Sequence, residues 1–67
     1  MPSIIELLDE ASAILASADA RMESMQLLEG ICAVSLSRQY SHPDDEVSVA
    51  QAERYRSALK RRLSGEP

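Results

Sequence analysis

The side chains best suited to chemistry are few in this sequence. His42 is the one histidine and Cys32 the one cysteine. An imidazole titrates near neutrality and could serve as a general base, but no Ser, Cys or Asp around His42 has the context of a catalytic triad. Cys32 lies in an apolar run, which raises a thiol's pKa and hides it. We therefore expect a loop histidine, a core cysteine and no catalytic residues, so the chain is not predicted to be an enzyme.

Metal and cofactor sites are not expected either. One His and one Cys cannot complete a tetrahedral zinc site within a single chain. The acidic run Asp44-Asp45-Glu46 lacks the loop spacing of a calcium site, and consecutive helical positions point in different directions. We interpret the run as the start of a helix. The sequence predicts no metal, no cofactor and no small-molecule substrate.

Charge is distributed very unevenly along the chain. The net charge is −4, yet residues 1–53 contain ten acids and only two bases. The bases are concentrated near the C-terminus, at Arg54, Arg56, Lys60, Arg61 and Arg62. These five are candidates for contacts with a charged partner, and they motivate an alternative hypothesis, a small nucleic-acid-binding regulator. The acidic remainder would repel a polyanion, so nucleic acid is the less favoured partner.

The composition predicts an all-α fold. Only two Gly and three Pro occur in 67 residues, Phe and Trp are absent, and strong helix formers fill most other positions. A short strand over residues 31–36 is a competing interpretation, but no second strand is available to pair with it.

The first helix should begin at Ser3, because Ser3-Ile4-Ile5-Glu6 matches a capping box. Apolar residues then recur in steps of three and four as far as Met25, and no Gly or Pro interrupts the chain before Gly30. We expect one long helix over about residues 3–37. The alternative is two helices with a break near Ser17–Asp19, since Asp19 could cap a new helix.

A loop over residues 38–42 should follow, then a second helix over about residues 43–63 beginning at Pro43, and a frayed tail over 64–67. Residues 1–67 thus form a single small helical domain, an antiparallel helical hairpin.

The segment from Leu27 to Leu36 is apolar on two faces, and a helix of that kind needs two partners. A chain of this length buries only ~60% of its unfolded surface, and one cysteine cannot form an intramolecular disulfide. We therefore expect two hairpins to pair into a dimeric helical bundle. The same residues could instead form a groove for another protein. The candidate dimer or partner interface consists of Met22, Met25, Leu28, Ile31, Cys32 and Leu36.

These observations favour a non-enzymatic protein–protein interaction module, a small dimeric helical adaptor, inhibitor or regulator. Its expected partners are a second copy of itself and another protein. The lone cysteine and the lack of a basic-then-apolar leader indicate a cytoplasmic protein. No apolar stretch approaches the ~18–20 residues that cross a bilayer, so no membrane association is expected.

Overall fold

The fold is all-α, as the composition predicts. A computed structural model describes residues 1–65, and within that range the chain forms helices and no strand beyond one isolated bridge between Ser3 and Glu46. The helices are α1 (Ile4–Leu15), α2 (Ala20–Cys32), α3 (Leu36–Ser41) and α4 (Val49–Leu63).

The N-terminal helix begins where the capping box places it. The Ser3 hydroxyl accepts a hydrogen bond from the Glu6 amide. The helix ends much earlier than predicted, because Ala16 adopts a left-handed conformation with φ of 48°. The prediction of one long helix over 3–37 is therefore wrong, and the alternative break near Ser17–Asp19 is confirmed. Apolar periodicity continues through the break because both helices turn an apolar face toward the same core.

A second left-handed alanine ends α2. Ala33 has φ of 57°, and its amide donates to the Glu29 carbonyl. Ile31 and Cys32 are the last residues of α2, so the competing strand over 31–36 does not form. A β-carbon placed on Gly30 would meet nothing within 4 Å. This glycine therefore does not mark a close helix contact.

The predicted boundaries in the C-terminal half are also wrong. Residues assigned to a loop over 38–42 lie mostly in α3, which the Ser35 hydroxyl caps by accepting from the Arg38 amide. The last helix begins at Val49 rather than at Pro43, with Ser48 as its cap.

Long-range hydrogen bonds explain why residues 43–47 are not helical. The amides of Ile4 and Ile5 donate to the carbonyls of Asp45 and Pro43, each at 2.9 Å, and the Val47 amide donates to the Pro2 carbonyl at 2.8 Å. The first amides of a helix have no partner within it. The segment before α4 supplies that partner for α1.

The four helices share one core, so the fold is more than the predicted two-helix hairpin. Helix α2 packs against both α1 and α4. Side-chain contacts join Glu23 to Arg62 and Cys32 to Gln51, which shows that α2 and α4 run antiparallel. The largest side chains buried in this core are Tyr55, Ile4, Leu7 and Leu28.

No helix within the described residues is both long and apolar enough to cross a membrane. Of the predicted tail, Ser64 and Gly65 form a turn, and residues 66–67 lie outside the described residues.

Candidate protein-interaction surface

Half of the six predicted interface residues belong to the chain's own core. Met25, Leu28 and Cys32 are at most 5% exposed and pack in one cluster with residues of α1 and α4. The periodic pattern identified a buried face correctly but could not say whether the covering surface came from the same chain. For these three residues the covering surface is intramolecular, apart from the part of Met25 that lines a surface cleft.

The other three predicted interface residues remain accessible. Met22 is 43% exposed, whereas Ile31 and Leu36 are half-buried and pack against the edge of the core. Their role in contacting another protein or a second copy stays a prediction.

An open cleft of about 330 Å³ lies between α2 and the end of α4. Leu27 and Ile31 supply its apolar lining, and Gly30 leaves part of it without a side chain. The Arg62 Nε lies 3.8 Å from the Glu23 carboxylate, and both residues line the cleft. We call this the α2–α4 cleft.

A second cleft of about 250 Å³ lies where α1, α2 and the α3 region meet. Ile5, Leu8 and Met25 form an apolar wall, and Pro43 and Tyr40 complete it. Tyr40 is 68% exposed, which is high for an aromatic side chain. We call this the α1–α3 cleft. Sequence reasoning did not find it, since it predicted a loop where α3 lies.

Gln39 lines the α1–α3 cleft and is only 2% exposed. Its Nε2 donates hydrogen bonds to the carbonyls of Met25 at 3.0 Å and Val34 at 2.9 Å. Its Oε1 is buried and has no hydrogen-bond partner among the described residues. A buried polar atom without a partner is unusual, and it is costly. Nothing in the local sequence distinguishes this glutamine from a surface residue.

The basic residues of α4 are partly neutralised within the chain. Arg56 donates two hydrogen bonds to the Glu10 carboxylate, which raise the pKa of its guanidinium. Arg62 lies near Glu23. Arg54, Lys60 and Arg61 are exposed, and within residues 1–65 they form no ion pair. The five bases therefore do not form one uninterrupted cationic face.

The residues with catalytic potential are placed as the sequence predicts. Burial raises the pKa of the Cys32 thiol, an effect that nearby Arg54 partly opposes, and its Sγ lies 3.6 Å from the Gln51 carbonyl. His42 is exposed, with its Nδ1 2.8 Å from the Ser41 hydroxyl. Within the described part of the chain, no three His, Cys, Asp or Glu side chains are grouped so that they could hold a metal ion.

Tyr55 is buried, and its pKa is strongly raised. Its hydroxyl donates to the Ser24 carbonyl at 3.0 Å, and burial raises its pKa to about 12. The Ser24 hydroxyl in turn donates to the Ala20 carbonyl at 2.6 Å. The bond from Tyr55 to Ser24 connects α4 to α2 inside the core, which is a structural role.

Within the described residues, four short helices around one core define a small all-α domain. A comparison with family models specifies the class further, because residues 6–67 match the model described as the PrmC N-terminal domain. The chain belongs to this family, since the match covers nearly its whole length. Neither the curated proteins nor the solved structures contained a match to this chain.

Proposed function

We propose that this chain is a non-enzymatic module that binds another protein. The observation that carries the proposal is the pair of open clefts on either side of α2, each with an apolar lining and a single arginine among the residues around it. Apolar surface next to a few polar groups is what protein-binding sites present.

The family gives the proposal a context. Its domain accompanies a methyltransferase, and an N-terminal domain of such an assembly can contribute binding while methyl transfer occurs elsewhere. We propose that the module holds a protein close to that methyltransferase part. The buried thiol and the exposed lone histidine support a binding role rather than a catalytic one.

Protein is favoured over nucleic acid as the partner because of the charges on α4. Affinity for nucleic acid requires several cations that can displace counterions from phosphates. Arg56 and Arg62 are already close to carboxylates of α1 and α2, and those carboxylates would repel a phosphate backbone.

Site-specific photo-crosslinking in the host cell tests the proposal. Benzoylphenylalanine would replace Tyr40 in one variant and Ile31 in another, with exposed Glu53 on α4 as the matched control. We expect one protein to be crosslinked from a cleft position and not from Glu53. The captured protein would then be purified, and its Kd for the unmodified chain measured by calorimetry.

Two results would contradict the proposal. One is a crosslinking pattern that is the same from all three positions, and the other is a captured protein that shows no measurable Kd. In either case the clefts are ordinary surface irregularities.

A further inference from the structure

We propose that the α1–α3 cleft binds a tryptophan side chain of a partner protein. The inference rests on the proposed function and deepens it, because it names the chemistry of the group that this site takes. Three observations carry it: the unpartnered Gln39 oxygen, the dimensions and lining of the cleft, and the residues at its rim.

The Gln39 Oε1 requires a hydrogen-bond donor. The amide orientation is determined by its Nε2, which donates to two backbone carbonyls, so the oxygen must be the atom left without a partner. A partner group that brings an N–H into the cleft removes the cost of this unsatisfied acceptor. Aliphatic side chains and phenylalanine bring no donor.

The cleft otherwise requires an apolar group. Ile5, Leu8, Met25 and Pro43 surround most of a space of about 250 Å³. That space is suited to one large side chain, and an ammonium or amide group would lose most of its hydration there. The tryptophan indole combines a large apolar body with a single N–H that only donates.

The rim supplies contacts for the faces of an aromatic ring. Tyr40 offers an exposed ring for stacking, and the Arg21 guanidinium can lie over an indole face. Arg21 is paired with Asp9 at 2.7 Å, but both side chains are about half exposed or more, and exposed pairs of this kind are held weakly. Arg21 can therefore turn toward a ligand.

Entry requires a small adjustment of the free chain. The Gln39 oxygen is out of the reach of solvent, so the side chains that line the cleft must change rotamer before an indole can reach it. Tyr40 is mostly exposed, and a methionine side chain adapts readily. A second copy of this chain cannot be the occupant, because the sequence contains no tryptophan.

The absence of tryptophan also provides a clean assay. N-acetyl-tryptophanamide is the probe, and its fluorescence in the presence of the full chain has no tryptophan background. We expect a saturable blue shift at millimolar probe. Methylation of the indole nitrogen should weaken binding about five-fold, the effect of one lost hydrogen bond to a buried acceptor. N-acetyl-phenylalaninamide, followed by NMR shifts of the Ile5 and Leu8 methyl groups, should bind at least as weakly as the methylated probe.

Variants locate the binding. Tyr40→Ala and Arg21→Ala lie at the exposed rim and should each weaken binding several-fold while the circular dichroism spectrum stays unchanged. Gln26→Ala, in the α2–α4 cleft, should leave the Kd for the probe unchanged. Perturbed NMR shifts of the Ile5 and Leu8 methyl groups, with those of Leu27 and Ile31 unperturbed, would place the probe in the α1–α3 cleft.

Several results would overturn the inference. If the methylated probe binds as tightly as N-acetyl-tryptophanamide, the proposed hydrogen bond to Gln39 is refuted. If the phenylalanine probe binds as tightly, the cleft is a general apolar pocket. If the fluorescence of N-acetyl-tryptophanamide shows no saturable blue shift, the cleft does not bind an indole. A partner crosslinked from Tyr40 together with no probe binding would leave the proposed function standing and this inference refuted. Probe binding without any crosslinked protein would contradict the proposed function, and the tryptophan of a partner with it, and would leave only a cleft that takes an indole.

Discussion

At the scale of single residues, two buried polar side chains hold elements together in ways that an apolar side chain could not. Tyr55 joins α4 to the Ser24 carbonyl of α2, and Gln39 joins α3 to carbonyls at Met25 and Val34. Both residues are at most 2% exposed. Buried hydrogen bonds of this kind define one arrangement of short helices, because any other arrangement leaves the polar groups without partners.

Tyr55→Phe removes one such bond while keeping the ring. We expect a loss of about 1 kcal/mol in the free energy of unfolding, because the Ser24 carbonyl loses a buried donor. Urea denaturation followed by circular dichroism measures it. Tyr40→Phe is the matched control, since Tyr40 is mostly exposed, and it should leave the stability unchanged. Equal losses in both variants would contradict the structural role of the Tyr55 hydroxyl.

The same hydroxyl makes stability depend on alkaline pH. Burial raises the pKa of Tyr55 from 10.0 to about 12. A folded-state pKa above the unfolded one means that this contribution is fully present below pH 10 and is lost as pH rises toward 12. The difference in unfolding free energy between the natural chain and Tyr55→Phe should therefore shrink over that window and can change sign. A difference that is constant across the window would refute this assignment.

At the scale of helices, hydrogen-bonded serine caps rather than apolar periodicity mark where α1, α3 and α4 begin. Ser3, Ser35 and Ser48 each accept a hydrogen bond from an amide three residues later. Asp19 precedes α2 but makes no such side-chain bond. The two left-handed alanines then end α1 and α2 where glycine would be more usual.

Substitutions can show how much each cap contributes to the free energy of unfolding. Ser48→Ala should cost about 1 kcal/mol of stability because the amide of Gln51 loses its acceptor. Asp19→Ala should cost much less, since no side-chain cap bond exists to be lost. Paired urea titrations measure both variants. A larger cost for Asp19→Ala than for Ser48→Ala would show that helix dipole interactions outweigh the hydrogen bond.

Gly30 and Ala33, near the end of α2, each occupy a position that would suit the other residue type. Gly30 lies inside the helix with open space around its α-carbon, while Ala33 holds a left-handed conformation that suits glycine. Gly30→Ala should stabilise the chain by up to about 1 kcal/mol, and Ala33→Gly should also stabilise it, because left-handed alanine is strained by about 1 kcal/mol or more. Thermal denaturation of both single variants and the double variant tests this. A lower Tm for Ala33→Gly would contradict it.

At the scale of the whole molecule, the question is whether the apolar residues of α2 serve the chain itself or a partner. Leu28 is fully buried against the other helices, so its substitution tests folding. Ile31 lines the α2–α4 cleft at the surface, so its substitution tests association. We propose, as part of the interaction role, that self-association would use this surface.

Leu28→Asp and Ile31→Asp separate these two roles. The first should unfold the chain, because a carboxylate in the core costs more than about 4 kcal/mol. The second should keep the helical circular dichroism spectrum. If the chain dimerises through the α2–α4 cleft, light scattering will show a dimer for the natural chain and a monomer for Ile31→Asp. A natural chain that stays monomeric at all concentrations would refute self-association through this surface.

The features that the sequence determined by itself depend on interactions between residues that are close along the chain. Helix-forming composition is sufficient to predict an all-α fold, the capping box at Ser3 placed the first helix start, and the apolar context of Cys32 predicted its burial. Each of these depends on a residue and its neighbours within a few positions, where propensities and caps act.

The tertiary structure alone decided the rest. Residues 43–47 have the pattern of a helix start, yet their backbone groups pair with Pro2, Ile4 and Ile5, more than thirty-five positions away. Ala16 ends α1 although no local signal forbids continuation, because folding back lets α2 bury Leu28 against α1 and α4. The α1–α3 cleft exists only after three segments meet. Contacts between distant residues override weak local preferences, and a pattern read along the chain does not contain them.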